Sequence, residues 1–218
     1  MTVETFLDTM TIIAKGVPLT IGITAAALLL GGLLAVPLAV GLESRRWWWR
    51  RPTRLVVDVV RAVPILVWLF IVYFGVQING AAVDELTASV VVLAGVTAAY
   101  LAEVYRASVA AVPQGQWDAA RAVGLGRTAG VWWVVAPQAV SIAIPSCTTF
   151  ALTLLKDSSI PSVIGVTEVT FRTVAQVREQ GDGLAPFLAA LILYIGLSVP
   201  VAVVSRGVDH TLRKRVGR

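Results

Sequence analysis

Long runs of apolar residues with few or no charges dominate this chain. A helix needs about 20 apolar residues to cross the hydrocarbon core of a membrane. Positions 17–42 form 26 residues without a charge, and positions 184–205 form 22. Three further apolar stretches lie at 55–78, 86–112 and 137–155. The pattern predicts an all-α membrane protein with five transmembrane helices in one domain, residues 1–218.

The first apolar run is predicted to be a membrane span and not a secretory signal. A signal peptide has a basic start and a short apolar core. Here Glu4 and Asp8 precede the run, which is also too long. The amphipathic segment 6–14 ahead of it is expected to lie on the membrane surface.

Composition excludes an ordinary soluble domain. Hydrophobic residues make up 57% of the 218 positions and charged residues 14%, with a mean hydropathy of +0.80. Soluble domains average about 25% charged residues. The single cysteine, Cys147, lies in an apolar stretch, so no disulfide framework is expected and a packing role is predicted. The single histidine, His210, excludes a histidine-based metal or catalytic cluster.

Basic residues alternate between the two sides of the predicted spans. Five lie in 43–54, three in 106–127 and five in 206–218, whereas the opposite side has Lys15, Lys156, Arg172 and Arg178. The positive-inside rule therefore predicts the N-terminus outside and the C-terminus in the cytoplasm. The tryptophans at 47–49 favour a membrane-surface loop over a nucleic-acid site, and the net charge of +5 then reflects topology and anionic lipid.

Segment 114–140 is the one predicted helical stretch between apolar spans that begins with polar residues. The triplet at 118–120, Asp-Ala-Ala, is followed after three residues by Gly124, and Pro137 lies further along. This spacing resembles the EAA loop of binding-protein-dependent ABC importer permeases: E-A-A, three residues, G, nine residues, I-x-L-P. This chain departs from that pattern at Asp118, Val134 and Ala136.

In that family the loop forms a cytoplasmic coupling helix that docks on the ATP-binding subunit. The resemblance implies such a helix over residues 114–126. The alternative is an amphipathic surface helix between two spans. The residues implied in coupling are Asp118, Ala119, Ala120, Arg121 and Gly124.

Glu103 is predicted to lie near the membrane midplane. It is about nine residues, or roughly 14 Å, from the inner end of the span 86–112, in a core about 30 Å thick. A carboxylate at that depth is costly and is usually paired or functional. Tyr100, Glu103 and Arg106 share one helix face. The alternative is a purely structural Glu103–Arg106 ion pair.

Two more charged pairs occur at predicted span ends. Asp58 and Arg61 are spaced to pair along one helix. Lys156 and Asp157 close the span 137–155, where the alternative is a surface pair worth under about 1 kcal/mol. Segment 158–170, which follows, is too apolar for a loop and too broken for a span. It is predicted to form a folded cap or a re-entrant segment against the helix bundle.

Five short motifs together resemble the polar amino acid uptake permeases. AYLAEVYR at 99–106 with VPQGQW at 112–117 is similar to their A-Y-x-A-E-x-x-R…V-P-x-G-Q-W run. LLKDSS at 154–159 with SVIG at 162–165 and RAVP at 61–64 also match, whereas Ala107 replaces the family's usual glycine. The resemblance implies a type I ABC importer (MetI-like) permease fold. It also implies a multi-pass protein of the bacterial plasma (inner) membrane that imports polar amino acids or close analogues.

A zwitterionic amino acid needs a cation for its carboxylate and an anion for its ammonium group. The charges at Glu103, Lys156 and Asp157 supply both signs. The candidate substrate-binding residues are Tyr100, Glu103, Arg106, Lys156 and Asp157.

The resemblance also implies partners. These are a dimer of ATP-binding subunits, a second permease subunit that is either the same chain or a paralogue, an extracytoplasmic substrate-binding protein or domain, and membrane lipid. The sequence has no G-x-x-x-x-G-K-[ST] loop. ATP and Mg are therefore expected on the partner ATPase, and no cofactor, metal or catalytic residue is expected in this chain.

Two other functions compete with this one. A proton-coupled secondary transporter could use Glu103, although inverted repeats would be expected in that class. A membrane scaffold without transport would leave the buried charges and the coupling-type loop unexplained. A requirement for ATP in uptake distinguishes the ABC importer from the proton-coupled transporter.

Overall fold

The computed structural model describes residues 3–78, 81–181 and 183–216. The side chains of most of the basic tail also lie outside this part. The helices are α1 Val3–Ala14, α2 Val17–Leu42, α3 Trp47–Ala62, α4 Ile65–Gly75, α5 Glu85–Ala110, α6 Gln114–Ala122, α7 Arg127–Gly130, α8 Ala136–Asp157, α9 Val169–Gln180 and α10 Leu184–Val216. A π-helix, Val131–Val135, joins α7 to α8, and a 3-10 helix, Ile160–Ile164, follows α8. The strands are β1 Gln77–Ile78 and β2 Ala81–Ala82, paired antiparallel.

Within the described residues, four helical segments are long and apolar enough to cross a membrane. A fifth crossing is obtained only if α3 and α4, which are bent by 101°, count together as one. The predicted spans 17–42, 86–112 and 137–155 agree with α2, α5 and α8 to within two residues, and α10 begins at the predicted position. The all-α fold class is confirmed. The four segments are Glu4–Leu42, Glu85–Ala110, Arg127–Ile164 and Leu184–Val203.

The predicted span at 55–78 is not one continuous helix. α3 already begins at Trp47, inside the predicted surface loop, and the helix is interrupted at Val63, whose backbone is extended. Pro64 explains the interruption, because proline cannot donate a backbone hydrogen bond and disfavours a helical conformation in the residue before it. The predicted Asp58–Arg61 ion pair is also absent from the described side chains.

α2 and α5 form the centre of the bundle. Small residues line the contact, and a Cβ added at Gly31 would lie only 2.5 Å from the Cβ of Thr97. Side chains this small allow two helix backbones to approach closely, which favours association in a membrane. Larger apolar side chains, among them Ile23 and Leu93, fill the adjoining core.

Segment 6–14, which is predicted to lie on the membrane surface, packs one side against the helix bundle at Ile13. This side chain is fully buried in a cluster with Val169 and Ala189, between α1, α9 and α10. α1 is therefore packed against the bundle by its apolar side, while residues such as Leu7 remain exposed.

Segment 158–170 is folded against the helix bundle, as predicted, and Glu168 anchors this cap. Glu168 is fully buried; its carboxylate accepts from the Phe171 backbone N–H at 2.8 Å and from the Tyr194 hydroxyl at 3.1 Å. The backbone N–H of Val169 donates to Thr20 Oγ1 at 3.3 Å. Burial raises the pKa of Glu168 above its ordinary value, although these hydrogen bonds oppose the shift.

Candidate functional site

The break between α3 and α4 opens a cavity of 660 Å³ against α5 and α8. Pro64 positions this cavity, because a continuous helix would fill the space at the corner. The indole Nε1 of Trp68 donates to the carbonyl of Val60 at 3.2 Å and ties α4 to α3 across the bend. The polar or aromatic residues of the lining are Arg61, Tyr100, Ser146, Thr149, Phe150, Thr153 and Asp157.

Arg61 projects from the last turn of α3 onto the central helix. Its guanidinium carbon lies 4.8 Å from the centroid of the Tyr100 ring. Tyr100 in turn stacks on Phe150 of α8, with ring centroids 5.3 Å apart and an interplanar angle of 27°. Cation–π contacts of this kind are worth about 0.5–2 kcal/mol. The stack holds a positive charge in the wall of the cavity.

Asp157 ends α8 and lines the same cavity. It is half-buried, whereas the neighbouring Lys156 is exposed and lines neither of the two cavities described here. Successive residues on a helix point in different directions. The structure therefore brings Asp157 to the cavity and leaves Lys156 away from it.

Glu103 lines an adjoining cavity of 550 Å³. Its side chain is 19% exposed, and it accepts a hydrogen bond from Arg106 Nε at 2.7 Å. The structural ion pair considered above is therefore present, yet Glu103 still faces open space. Arg106 itself lines a different, basic pocket at the end of α5.

The two cavities adjoin along α5. They share four lining residues, Arg61, Tyr100, Val104 and Ser146. Asp157 lines the first cavity and Glu103 the second, so each contains a carboxylate and the guanidinium of Arg61. Such an arrangement can bind an ammonium group and a carboxylate at the same time, which are the two charges of a zwitterion.

Arg61 was not among the residues selected from the sequence as a binding candidate. Reasoning from helical spacing assigned it to a pair with Asp58. The signal that could have identified it is Pro64, since a proline three positions later marks the end of a helix and a change of direction.

The segment after α5 presents a short polar helix. On α6, Asp118 and Arg121 form an exposed ion pair, and Ala119 is also exposed. Ala120 is buried, within 3.5 Å of the position that a Cβ on Gly130 would occupy. Gly124 has φ +79°, a left-handed conformation that suits glycine. The predicted helix 114–126 therefore ends at Ala122, and Gly124 turns the chain away from it.

α6 is also fixed to the membrane helix that follows. Gln138 Nε2 on α8 donates to Gln116 Oε1 on α6 at 3.1 Å. A force applied to α6 can thus reach α8, which lines both cavities.

Comparison with known proteins gives consistent matches. Residues 27–214 match the family model described as binding-protein-dependent transport system inner membrane component. The probable amino-acid ABC transporter permease protein YckA of Bacillus subtilis is 29% identical over 88% of this chain and 84% of its own length. The octopine transport system permease protein OccM of Rhizobium radiobacter is 30% identical over 89% of this chain and 83% of its own length.

Solved structures of ABC transporters have folds similar to that of this chain. An amino acid ABC transporter crystallised with histidines superposes with a TM-score of 0.89 at 26% identity, covering 97% of this chain and 100% of that one. The MetNI methionine ABC transporter in an inward-facing form superposes with a TM-score of 0.79 over 97% of this chain and 99% of that one. Its identity of 19% supports the fold alone.

Proposed function

Because this chain belongs to the family of binding-protein-dependent transport system inner membrane components, we propose that its joined cavities form the path of an amino acid through the membrane. The protein is a multi-pass permease subunit of an ABC importer for amino acids in the inner membrane. It is the membrane component of the transporter and not its ATPase. The polar amino acid class and the individual roles of the site residues are part of the proposal.

The observation that supports this path is the charge pattern of the cavities. Arg61 lines both cavities, Asp157 lines the first and Glu103 the second, next to α5 and α8. We assign Arg61 to the substrate carboxylate, and Asp157 or Glu103 to its ammonium group. Tyr100 holds Arg61 in place and contributes an aromatic wall.

Two predicted residues take indirect roles in this proposal. Arg106 orients Glu103 through their ion pair. Lys156, which is exposed next to Asp157, attracts the carboxylate of an approaching substrate at the cavity mouth. Neither needs to touch a substrate that sits in the cavity.

Coupling is assigned to α6 and the turn after it. The exposed side chains of Asp118, Ala119 and Arg121 would contact the ATP-binding subunit. Buried Ala120 and the turn at Gly124 would fix the angle at which α6 is presented. ATP and Mg would bind on that partner, so its conformational change reaches α8 through α6.

The orientation that follows from the positive-inside rule is proposed for the whole chain, with the N-terminus outside and the C-terminus in the cytoplasm. α6 then lies on the cytoplasmic side, and the cap at 158–170 lies outside, where a substrate-binding protein would deliver its ligand. A second permease subunit, identical or paralogous, would complete the membrane part.

Uptake by proteoliposomes tests this function. The permease is reconstituted with its ATPase and binding protein, and radiolabelled amino acids are supplied outside with ATP inside. We expect ATP-dependent accumulation of polar amino acids and no accumulation from a proton gradient alone. Accumulation driven by the proton gradient without ATP would contradict the proposal and favour a secondary transporter.

A further inference from the structure

A basic pocket lies apart from the transport path, at the junction of α2, α3 and α5. It has a volume of 400 Å³ and is lined by Leu42, Glu43, Arg50, Arg51, Arg54 and Arg106. Because α5 ends at Ala110 and α6 follows at once, the pocket is at the same end of the bundle as α6. The transport proposal uses only Arg106 of this set, through its contact with Glu103.

Three of the four arginines have no acidic partner. Among the side chains that the structure describes, Arg106 pairs with Glu103, while no salt bridge involves Arg50, Arg51 or Arg54. Glu43 is the one acidic residue of the lining. The pocket therefore carries an excess of positive charge, and guanidinium groups bind phosphate oxygens in a bidentate manner.

The backbone around the pocket is held in a fixed arrangement. A Cβ on Gly41 of α2 would lie 2.7 Å from Thr53 Oγ1 of α3, so the two helices are in close contact here. Thr53 Oγ1 also donates to the carbonyl of Trp49 at 2.8 Å. The arginines thus extend from a rigid corner and not from a loose loop.

The neighbouring surface is suited to a lipid. Trp47, Arg51 and Leu55 follow one another at four-residue intervals on one face of α3, and the Arg51 guanidinium carbon lies 5.3 Å from the Trp47 ring centroid. Trp47 is 57% and Leu55 65% exposed. Tryptophan favours the headgroup zone of a bilayer, and exposed leucine suits the acyl chains next to it.

We propose that this pocket binds the phosphate headgroup of an anionic phospholipid at the end of the bundle that carries α6. The arginines hold the phosphate, and the apolar face of α3 contacts the acyl chains. Free inorganic phosphate shares the phosphate chemistry but has no acyl chain, and the ATP-binding subunit is the other possible occupant.

Native mass spectrometry of the assembled transporter tests the proposal. The complex is released from micelles that contain equal amounts of phosphatidylglycerol and phosphatidylcholine, and the retained lipids are counted. We expect the wild type to retain phosphatidylglycerol selectively. Each arginine near a membrane surface strengthens attraction about fivefold, so Arg50→Gln/Arg54→Gln should reduce retention by roughly tenfold or more.

Two variants control for charge and folding. Arg45→Gln/Arg46→Gln removes the same charge just ahead of α3, outside the pocket lining, and should retain the lipid. Arg50→Lys/Arg54→Lys keeps the charge and should retain most of the bound phosphatidylglycerol. Equal losses in both glutamine variants would show a general surface-charge effect and overturn the proposal.

Two further outcomes would also overturn it. Complete displacement of phosphatidylglycerol by millimolar inorganic phosphate would indicate an anion site without a lipid. Loss of the ATPase subunit from the Arg50→Gln/Arg54→Gln complex, with unchanged lipid retention, would indicate a protein contact.

Discussion

The guanidinium of Arg61 lies over the ring of Tyr100, 4.8 Å from its centroid. The contact joins the last turn of α3 to the central helix α5, at the point where both cavities share their lining. It keeps a cation in a space whose other charges are carboxylates.

Arg61→Gln should remove the group that we assign to the substrate carboxylate. A charge-assisted hydrogen bond is worth about 1.5–3 kcal/mol, so uptake should fall roughly tenfold to a hundredfold, while basal ATP hydrolysis by the assembled transporter persists. The measurement is the uptake rate at low substrate concentration. Arg178→Gln, an exposed change on α9 away from both cavities, is the control. Equal uptake in wild type and Arg61→Gln would contradict the assignment.

Glu103→Gln keeps the shape of the side chain and removes its charge. We expect a complex that assembles and hydrolyses ATP but transports poorly or with altered substrate preference. Asp58→Asn, an exposed acid-to-amide change on α3 outside the cavity linings, should transport normally. If Glu103→Gln fails to assemble, the residue acts as a structural partner of Arg106 and not in substrate binding.

Gly124→Asp should uncouple ATP hydrolysis from transport. A side chain at φ +79° is strained, so the turn after α6 should change its path while the protein remains in the membrane. Gly126→Asp adds the same charge two residues later, where φ is an ordinary −63°, and should be milder. Asparagine and aspartate both adopt the left-handed conformation occasionally, so Gly124→Asn, which adds similar bulk without the charge, should lie between the two. The ratio of substrate transported to ATP hydrolysed is measured for each, and a normal ratio in Gly124→Asp would refute the coupling role.

Gly16→Ala should destabilise the folded protein. The new Cβ would lie 2.5 Å from the backbone carbon of Glu168, and backbone cannot move aside cheaply. Overpacking of this kind costs about 1–3 kcal/mol, which thermal unfolding in detergent would detect. Gly22→Ala on α2, with no atom within 4 Å of its Cβ, should unfold at or above the wild-type temperature. Identical unfolding of the two variants would mean that the start of α2 and the cap are not in contact at this point.

The lengths of the apolar runs along the sequence were sufficient to predict most of the helices. α2, α5 and α8 begin and end close to the predicted positions because apolar length is set by membrane thickness. The cap at 158–170 was also predicted, since its composition suits neither a span nor a loop. The bend between α3 and α4 was missed because the apolar run continues through it, and only Val63 and Pro64 signal the break.

The site was less predictable than the fold. Helical spacing placed Tyr100, Glu103 and Arg106 on one face, and the Glu103–Arg106 ion pair confirms that spacing. Arg61 faces Tyr100 only because α3 ends where it does, so its position depends on tertiary structure. Lys156 and Asp157 are adjacent in sequence, yet only Asp157 lines the cavity.

The most direct test of the central claim is a steric block of the proposed path. Thr153 lines the 660 Å³ cavity, and Thr153→Trp would fill part of it without changing any charge. Leu33→Trp, at a 71% exposed position on α2 outside both cavity linings, controls for the added bulk. ATP-driven amino acid uptake is measured for both variants, with assembly and ATP hydrolysis confirmed. The account predicts that Thr153→Trp abolishes uptake and Leu33→Trp does not; normal uptake through Thr153→Trp would show that the substrate takes another path.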